Sequence, residues 1–240
     1  MLVNPATIAA LERISARAAD VRMAFTPGAI PGHDDVATAH SATRVVQDPL
    51  SVAAPEQTYF IARDERGRAV YTRDGAMTID AGVLRGSDGR PVLGYVDGGG
   101  ALAPLAIDSV DAALGRTTGV RIERDGSVVY SRSVIDPRGG ARELQRVLVG
   151  RIALARFAAG TRLQPIDASH FTAPAESIPH VGQPGDATFG ALEPQRRERS
   201  RVDIDRALAR LKDAYLAFDA LSAGQTAQWG LGKTAMDLVK

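Results

Sequence analysis

Four histidines occur in 240 residues, so the places where acid–base or metal chemistry could sit are few. Two of them stand with carboxylates in the run His33, Asp34, Asp35 and His40. Imidazole with carboxylate is a common nitrogen and oxygen donor set for a metal ion. The spacing fits no established site, however, and the surrounding stretch is polar and aperiodic, so it reads as a solvated loop. His170 and His180 flank a proline-rich edge without serine or aspartate in a catalytic pattern. Arg196, Arg197, Arg199 and Arg201 form a basic run that could contact phosphate. Glu198 interrupts that run and a helix follows, which suits a solvated linker or a salt-bridged contact with a neighbouring subunit. Gly98, Gly99 and Gly100 lack the following Lys-Ser or Lys-Thr of a phosphate loop. The expectation is therefore no catalytic, cofactor-binding or metal residues, no cofactor, and no enzymatic activity.

The bulk composition narrows the classes further. A formal net charge of +1 gives the whole chain no electrostatic footprint for nucleic acid or an anionic membrane. Without cysteine there are no disulfides, thiolate metal sites or thiol catalysis. No apolar run approaches the roughly 20 residues of a membrane span, and Met1 to Pro5 lacks the basic segment of a cleaved secretion signal.

Three kinds of element must position whatever the chain does. Pro5 to about Phe25 reads as an amphipathic helix, with proline at the first helical position and Ile8, Leu11, Ile14, Ala18 and Val21 recurring at steps of three and four. Its stripe is narrow and rich in alanine, suited to close packing on another helix. A polar linker follows to Pro49, with a short helical turn expected near Val36 to Val46. From Thr58 to Tyr95 come short β-branched and aromatic runs closed by Glu65-Arg66-Gly67, Asp74-Gly75, Ala81-Gly82 and Asp88-Gly89. Such pairs supply positive φ for tight turns, which predicts a β-meander. Gly119 to Tyr130 reads as another hairpin turning at Asp125-Gly126, Val147 to Phe157 as a strand, and Glu176 to Gln195 as a loop. A last helix begins near Ser200 or Asp203 and runs to Leu221 or on to Val239, with Trp229 as its anchor there. In it Ile204, Leu208, Leu211, Tyr215 and Phe218 take steps of four and three, the pattern of a coiled-coil seam.

The meander also carries a family resemblance. Tyr59-Phe60-Ile61, then Tyr71-Thr72-Arg73-Asp74-Gly75-Ala76-Met77, then Ser87-Asp88-Gly89-Arg90-Pro91-Val92-Leu93-Gly94 resemble, in order and in turn chemistry, the signature of the bacterial flagellar rod and hook proteins. The likeness covers about Asp48 to Phe171, and the last helix in pattern. It departs at Ala19 to Gly28, where the family usually has an asparagine-rich stretch, and at Ser169-His170-Phe171, where it has an asparagine–tyrosine pair.

The fold expected is mainly β with terminal α-helices: a central β-meander domain flanked by N- and C-terminal coiled-coil-like helices. Its divisions are an N-terminal helix (1–30), a linker (31–50), a central β domain (51–190) and a C-terminal helix (191–240). Periodicity alone leaves open whether the apolar stripes pack within one monomer or between subunits. The resemblance implies the second: a structural subunit of the flagellar basal-body rod, or of the hook, joined to its neighbours through Ile8, Leu11, Ala18, Ile204, Leu208, Leu211, Tyr215 and Phe218. Its implied partners are copies of itself, other rod and hook subunits and the flagellar type III export apparatus, with no nucleic acid and no small-molecule substrate. The implied place is the periplasm-spanning rod, reached without a cleaved signal. The competing expectation is a self-contained β-rich binding domain whose helices pack on themselves.

Overall fold

The computed structural model describes residues 5–24, 42–96, 100–109, 111, 117–135, 142–167, 169–200 and 204–238. The described chain is mostly β, with one helix near each end. It divides into two compact units: the terminal helical segments, and a β unit that holds Asp35–Arg201. His33, Asp34, Asp35 and His40 lie outside the described residues, as does the side chain of Trp229.

In the β unit the strands are β1 (Thr43–Val45), β2 (Val52–Ala53), β3 (Thr58–Arg63), β4 (Ala69–Thr72), β5 (Met77–Asp80) and β6 (Val83–Gly86). Next come β7 (Leu93–Val96), β8 (Leu102–Pro104), β9 (Thr117–Ile122), β10 (Ser127–Ile135), β11 (Arg142–Ile152) and β12 (Leu154–Arg156). The last are β13 (Gln164–Pro165), β14 (His170–Thr172), β15 (His180–Gly182), β16 (Glu193–Pro194) and β17 (Arg196–Glu198). They assemble into a five-stranded sheet ordered β8-β7-β11-β10-β9, a six-stranded sheet ordered β13-β14-β4-β3-β12-β15, and the pairs β1-β17, β2-β16 and β5-β6.

This order corrects the expected central meander. Sequential hairpins do form where the turn residues demand them, at β3–β4, β5–β6, β9–β10 and β10–β11. β7–β8 and β13–β14 are also consecutive pairs, but the remaining ladders join strands that are not neighbours in sequence: β7 with β11, β3 with β12, β12 with β15, β4 with β14, and the ends β1 with β17 and β2 with β16. Turn chemistry reports only the local connections, whereas the distant pairings are chosen by strands buried on both faces. Phe60 and Ile61, successive residues of β3, point to opposite faces and enter two different apolar clusters. The strand expected at Val147 to Phe157 is in fact two, because the chain leaves the five-stranded sheet at Ile152 and joins the six-stranded one at Leu154. Thr43–Val45 is a strand rather than part of a helical turn, and the expected loop from Glu176 to Gln195 contributes β15 and β16.

Glycine serves the β unit for two distinct reasons. Gly67 takes a φ of 79° in the β3–β4 turn, where an L side chain would be strained. Gly75 needs no such angle. A Cβ there would stand 1.7 Å from the carbonyl oxygen of Val52, so this glycine of the family-like motif serves close approach of backbones rather than a tight turn.

In the other unit, α1 (Pro5–Met23) and α2 (Ile204–Leu238) pack on each other. Gln225 Nε2 donates to Thr7 Oγ1 at 2.9 Å, and the groove between the helices runs from Ala6 and Leu221 to Arg17 and Arg210. With Thr7 beside Gln225 and the contact continuing backwards along α2, the pair is antiparallel. The flanking coiled-coil-like helices are the second correction. The large apolar residues at heptad-like steps do not form the contact as a set: Ala10 and Ala207 are buried while Ile8, Leu11, Leu208 and Tyr215 stay exposed. Close approach of two helices favours small residues at the contact, and the bulky positions are displaced to its side.

Candidate functional site

The helix pair has two unlike sides. Small residues line the groove between the helices, with Ala6, Ala9 and Ala16 on α1 and Ala214 and Ala217 on α2. Arg13, Arg17, Arg210 and Asp213 stand among them. Elsewhere on the pair Ile8 is 46% exposed, Leu11 49%, Leu208 47% and Tyr215 50%. A large side chain gains about 1.5–3 kcal/mol when fully buried, so roughly half of that remains to be gained by each when a partner covers it. Of the other residues named from sequence, Leu211, Phe218, Ala18 and Ile204 are half-buried. The heptad-like set is thus divided between more sheltered positions and an outward apolar ridge.

The polar side chains of the β unit are engaged in holding it together. Arg73, at the centre of the Tyr71-to-Met77 motif, is 2% exposed. Its Nε donates to Glu198 Oε2 at 2.5 Å, and Nη1 donates to the carbonyl oxygens of Thr58 at 2.6 Å and Pro55 at 3.2 Å. Glu198, also 2% exposed, lies in β17, the strand read from sequence as part of a solvated basic linker. Beside it, Arg197 donates to Ser51 Oγ at 2.8 Å and to Asp48 Oδ2 at 3.2 Å. Burial alone would raise the Asp48 carboxyl, but hydrogen bonds from Ser51, the Leu50 amide and Arg197 outweigh it and hold the group below its usual range. The strands by which the chain enters and leaves the β unit are therefore fastened side by side.

His170 has the neighbours of a catalytic histidine in the wrong arrangement. Ser169 Oγ and Asp167 Oδ1 both approach Nδ1, at 3.1 and 2.8 Å, while Nε2 faces Asp88 Oδ2 at 3.3 Å. Ser169 and Asp88 do stand on opposite ring nitrogens, as a nucleophile–base–acid relay requires, but the Asp167 carboxylate accepts the Nδ1 proton, so Nδ1 has no lone pair to take a proton from Ser169. Asp167 also accepts from Arg90 at 2.7 Å. Burial pushes its carboxyl up, but Arg90, the Ser169 amide and His170 together bring it down to about 2. This cluster ties the β13–β14 edge to the turn between β6 and β7. His180 instead stacks on Phe189 at a centroid distance of 5.3 Å. Tyr130 donates its hydroxyl to the buried Asp111 at 2.6 Å. Burial, with Asp111 alongside, pushes that phenol up to about 12. Among the described residues no three His, Asp or Glu side chains converge on a possible metal position.

Sequence periodicity pointed to the ridge residues but could not show which of them would face outwards. It missed the Arg73–Glu198 pair, whose members are 125 residues apart; the one available signal was a glutamate set inside an arginine run. No known family model matches the chain, and no curated protein matches it.

Proposed function

We propose that the protein is a structural subunit of the bacterial flagellar rod, or of the hook, joined to its neighbours through the paired terminal helices. The observation that carries this reading is the apolar ridge of Ile8, Leu11, Leu208 and Tyr215, about half exposed on the helical unit. An exposed apolar stripe of this kind is a cost to a permanent monomer and an asset to a subunit that is covered on assembly. The motif of the rod and hook resemblance supports the same reading, since Phe60, Arg73, Gly75, Met77, Val92 and Leu93 all have packing roles in the β unit. The subunit would reach the periplasm-spanning rod through the type III export apparatus and contact copies of itself and other axial subunits.

One observation favours the competing self-contained binding domain: α1 and α2 do pack on each other within one chain. That packing leaves the ridge uncovered, so it does not remove the need for a partner. Sedimentation of the full chain over a wide concentration range, followed by electron microscopy of the concentrated sample, tests the proposal. Concentration-dependent growth into rods or tubes, lost in Leu11→Asp and Tyr215→Asp variants with unchanged β-unit unfolding, is the expected result. A chain that stays monomeric throughout would return the helices to the self-contained reading.

A further inference from the structure

The segment by which the chain leaves the β unit lies along the segment by which it enters, in one continuous contact. The Arg199 amide donates to the Ala42 carbonyl at 2.8 Å, the β1–β17 rungs follow, and the Val46 amide donates to the Gln195 carbonyl at 2.9 Å. There the exit segment changes partner: the Gln195 amide donates to the Ser51 carbonyl at 2.7 Å, and β16 pairs with β2. Gln195 makes the change with a φ of 56°, in the left-handed region that few non-glycine residues enter. Entry and exit stand at the same end of this contact, so separating them loads its bonds in order from Arg199 inwards.

The two halves of the contact are held by different forces. Burial holds the inner half, where Val52, Ala53 and Leu192 are removed from water. The outer half has almost no such burial: Val45 is 71% exposed, and Arg44 and Arg196 are exposed with it. A three-residue strand pair with this exposure would fray from its free end. Side-chain ties stand there instead, and they stand at the outer rungs. Glu198, on the rung next to the Arg199–Ala42 bond, is buried on Arg73. Arg197, on the following rung, reaches Asp48 and Ser51 at 3.2 and 2.8 Å. Moving Glu198 outwards leaves the Arg73 guanidinium buried without its counter-charge, which costs more than the backbone bonds of one rung.

We infer that the outer half of this contact is a latch: Glu198 on Arg73 and Arg197 on Asp48 and Ser51 hold residues 195–198 against residues 43–46, which part in one step or not at all. With the ties intact, fraying stops at Arg199. Once both ties break, the rungs that remain are exposed and resist little, so they open in the same event. Displacement of the two chain ends is therefore not passed on to β2 until both ties have gone. The latch belongs to the single chain, and it stands whether or not the terminal helices join neighbouring copies.

Amide hydrogen exchange of the full chain, resolved residue by residue by NMR, tests the latch. Hydrogen bonds alternate along an antiparallel pair, so the bonded rung between Arg199–Ala42 and Val46–Gln195 is Arg44–Arg197. The expected result is one common protection for the Arg44, Arg197 and Val46 amides, equal within about threefold, with Arg199 lower by about tenfold or more. Glu198→Gln combined with Arg197→Ala removes both ties and is expected to spread the three amides by about tenfold or more, Arg44 and residue 197 falling below Val46. A loss of overall stability alone would lower all three together, so the spread reports the latch. Protection that already rises step by step from Arg199 to Val46 in the natural sequence would overturn the inference, whether or not the double variant folds. So would a double variant in which the three amides keep one common protection.

Discussion

Removing the Glu198 carboxylate tests whether the β unit depends on a contact between its central motif and the strand by which the chain leaves it. In Glu198→Gln the Arg73 guanidinium stays buried without its counter-charge. Breaking a buried pair in this way costs about 3–5 kcal/mol. The carbonyls of Thr58 and Pro55 still accept from Arg73, which holds the loss near the lower limit, about 3 kcal/mol. Arg73→Met is the harsher change. It leaves Glu198 buried without the guanidinium, withdraws a donor from those carbonyls and uncovers one face of Tyr59, over which the guanidinium lies at 5.8 Å. Its expected cost is therefore at the upper limit, about 5 kcal/mol. With a urea dependence of roughly 2 kcal/mol per molar, these losses lower the unfolding midpoint by about 1.5 M and about 2.5 M. Urea unfolding followed by far-ultraviolet circular dichroism measures both. A midpoint shift below about 0.5 M for Glu198→Gln, or a larger loss for Glu198→Gln than for Arg73→Met, would refute the reasoning.

Gly75→Ala should cost several times more stability than Gly67→Ala. The first places a Cβ against the Val52 carbonyl, whereas the second meets nothing within 4 Å and pays only for its φ of 79°, about 1–2 kcal/mol; urea midpoints in the reverse order would contradict this. Tyr130→Phe should lose about 1.5–3 kcal/mol, the worth of a hydrogen bond to a charged acceptor. Difference titration at 295 nm against that variant should show a phenol ionising near pH 12. Because the folded state holds that proton more tightly, the Tyr130 contribution is complete below pH 10 and lost as pH rises towards 12. Asp167 has the opposite sign: its folded carboxyl is depressed to about 2, so its contribution is present above about pH 4 and is lost as pH falls through 2. Carbon-13 titration of the Asp167 carboxyl should show that low midpoint, and a value near 4 would mean that Arg90 and His170 do not hold it.

What could be read from sequence was what is encoded locally. The hairpin turns at Gly67, Gly82, Gly89 and Gly126 carry positive φ as their residue types required, and α1 begins at Pro5. The distant pairings were illegible for a physical reason. β1, β2, β16 and β17 have two or three residues each, too few for a period of two to emerge. The charge of the Arg196-to-Arg199 run also disguised a strand whose Glu198 faces inwards. The helices failed differently. Steps of four and three place Leu208, Leu211, Tyr215 and Phe218 on what looks like one seam. Leu208 and Leu211 are nevertheless about 60° apart on a helix of 3.6 residues per turn, as are Tyr215 and Phe218. A contact set by alanines is narrow enough to shelter one member of each couple and expose the other. Where such a contact lies depends on the smallest residues, which a search for hydrophobic periodicity weighs least.

The fastening of entry to exit gives the β unit a particular mechanical character. Thr43 pairs with Glu198 in the β1–β17 ladder; the Arg199 amide extends the contact outwards to the Ala42 carbonyl, and the Val46 amide extends it inwards to the Gln195 carbonyl. Forces that separate the two chain ends load the Arg199–Ala42 backbone bond first and the Thr43–Glu198 rung next. β1 itself offers little resistance, for its three residues are largely exposed. The buried Glu198 carboxylate on Arg73 is what opposes opening there, with Arg197 on Asp48 and Ser51 one residue further in. Among the described residues the most deeply buried ion pair thus stands one step inside the outermost bond of this contact. That placement lets pulling on the chain ends be resisted by the Tyr71-to-Met77 motif before the strand ladders of the core are disturbed.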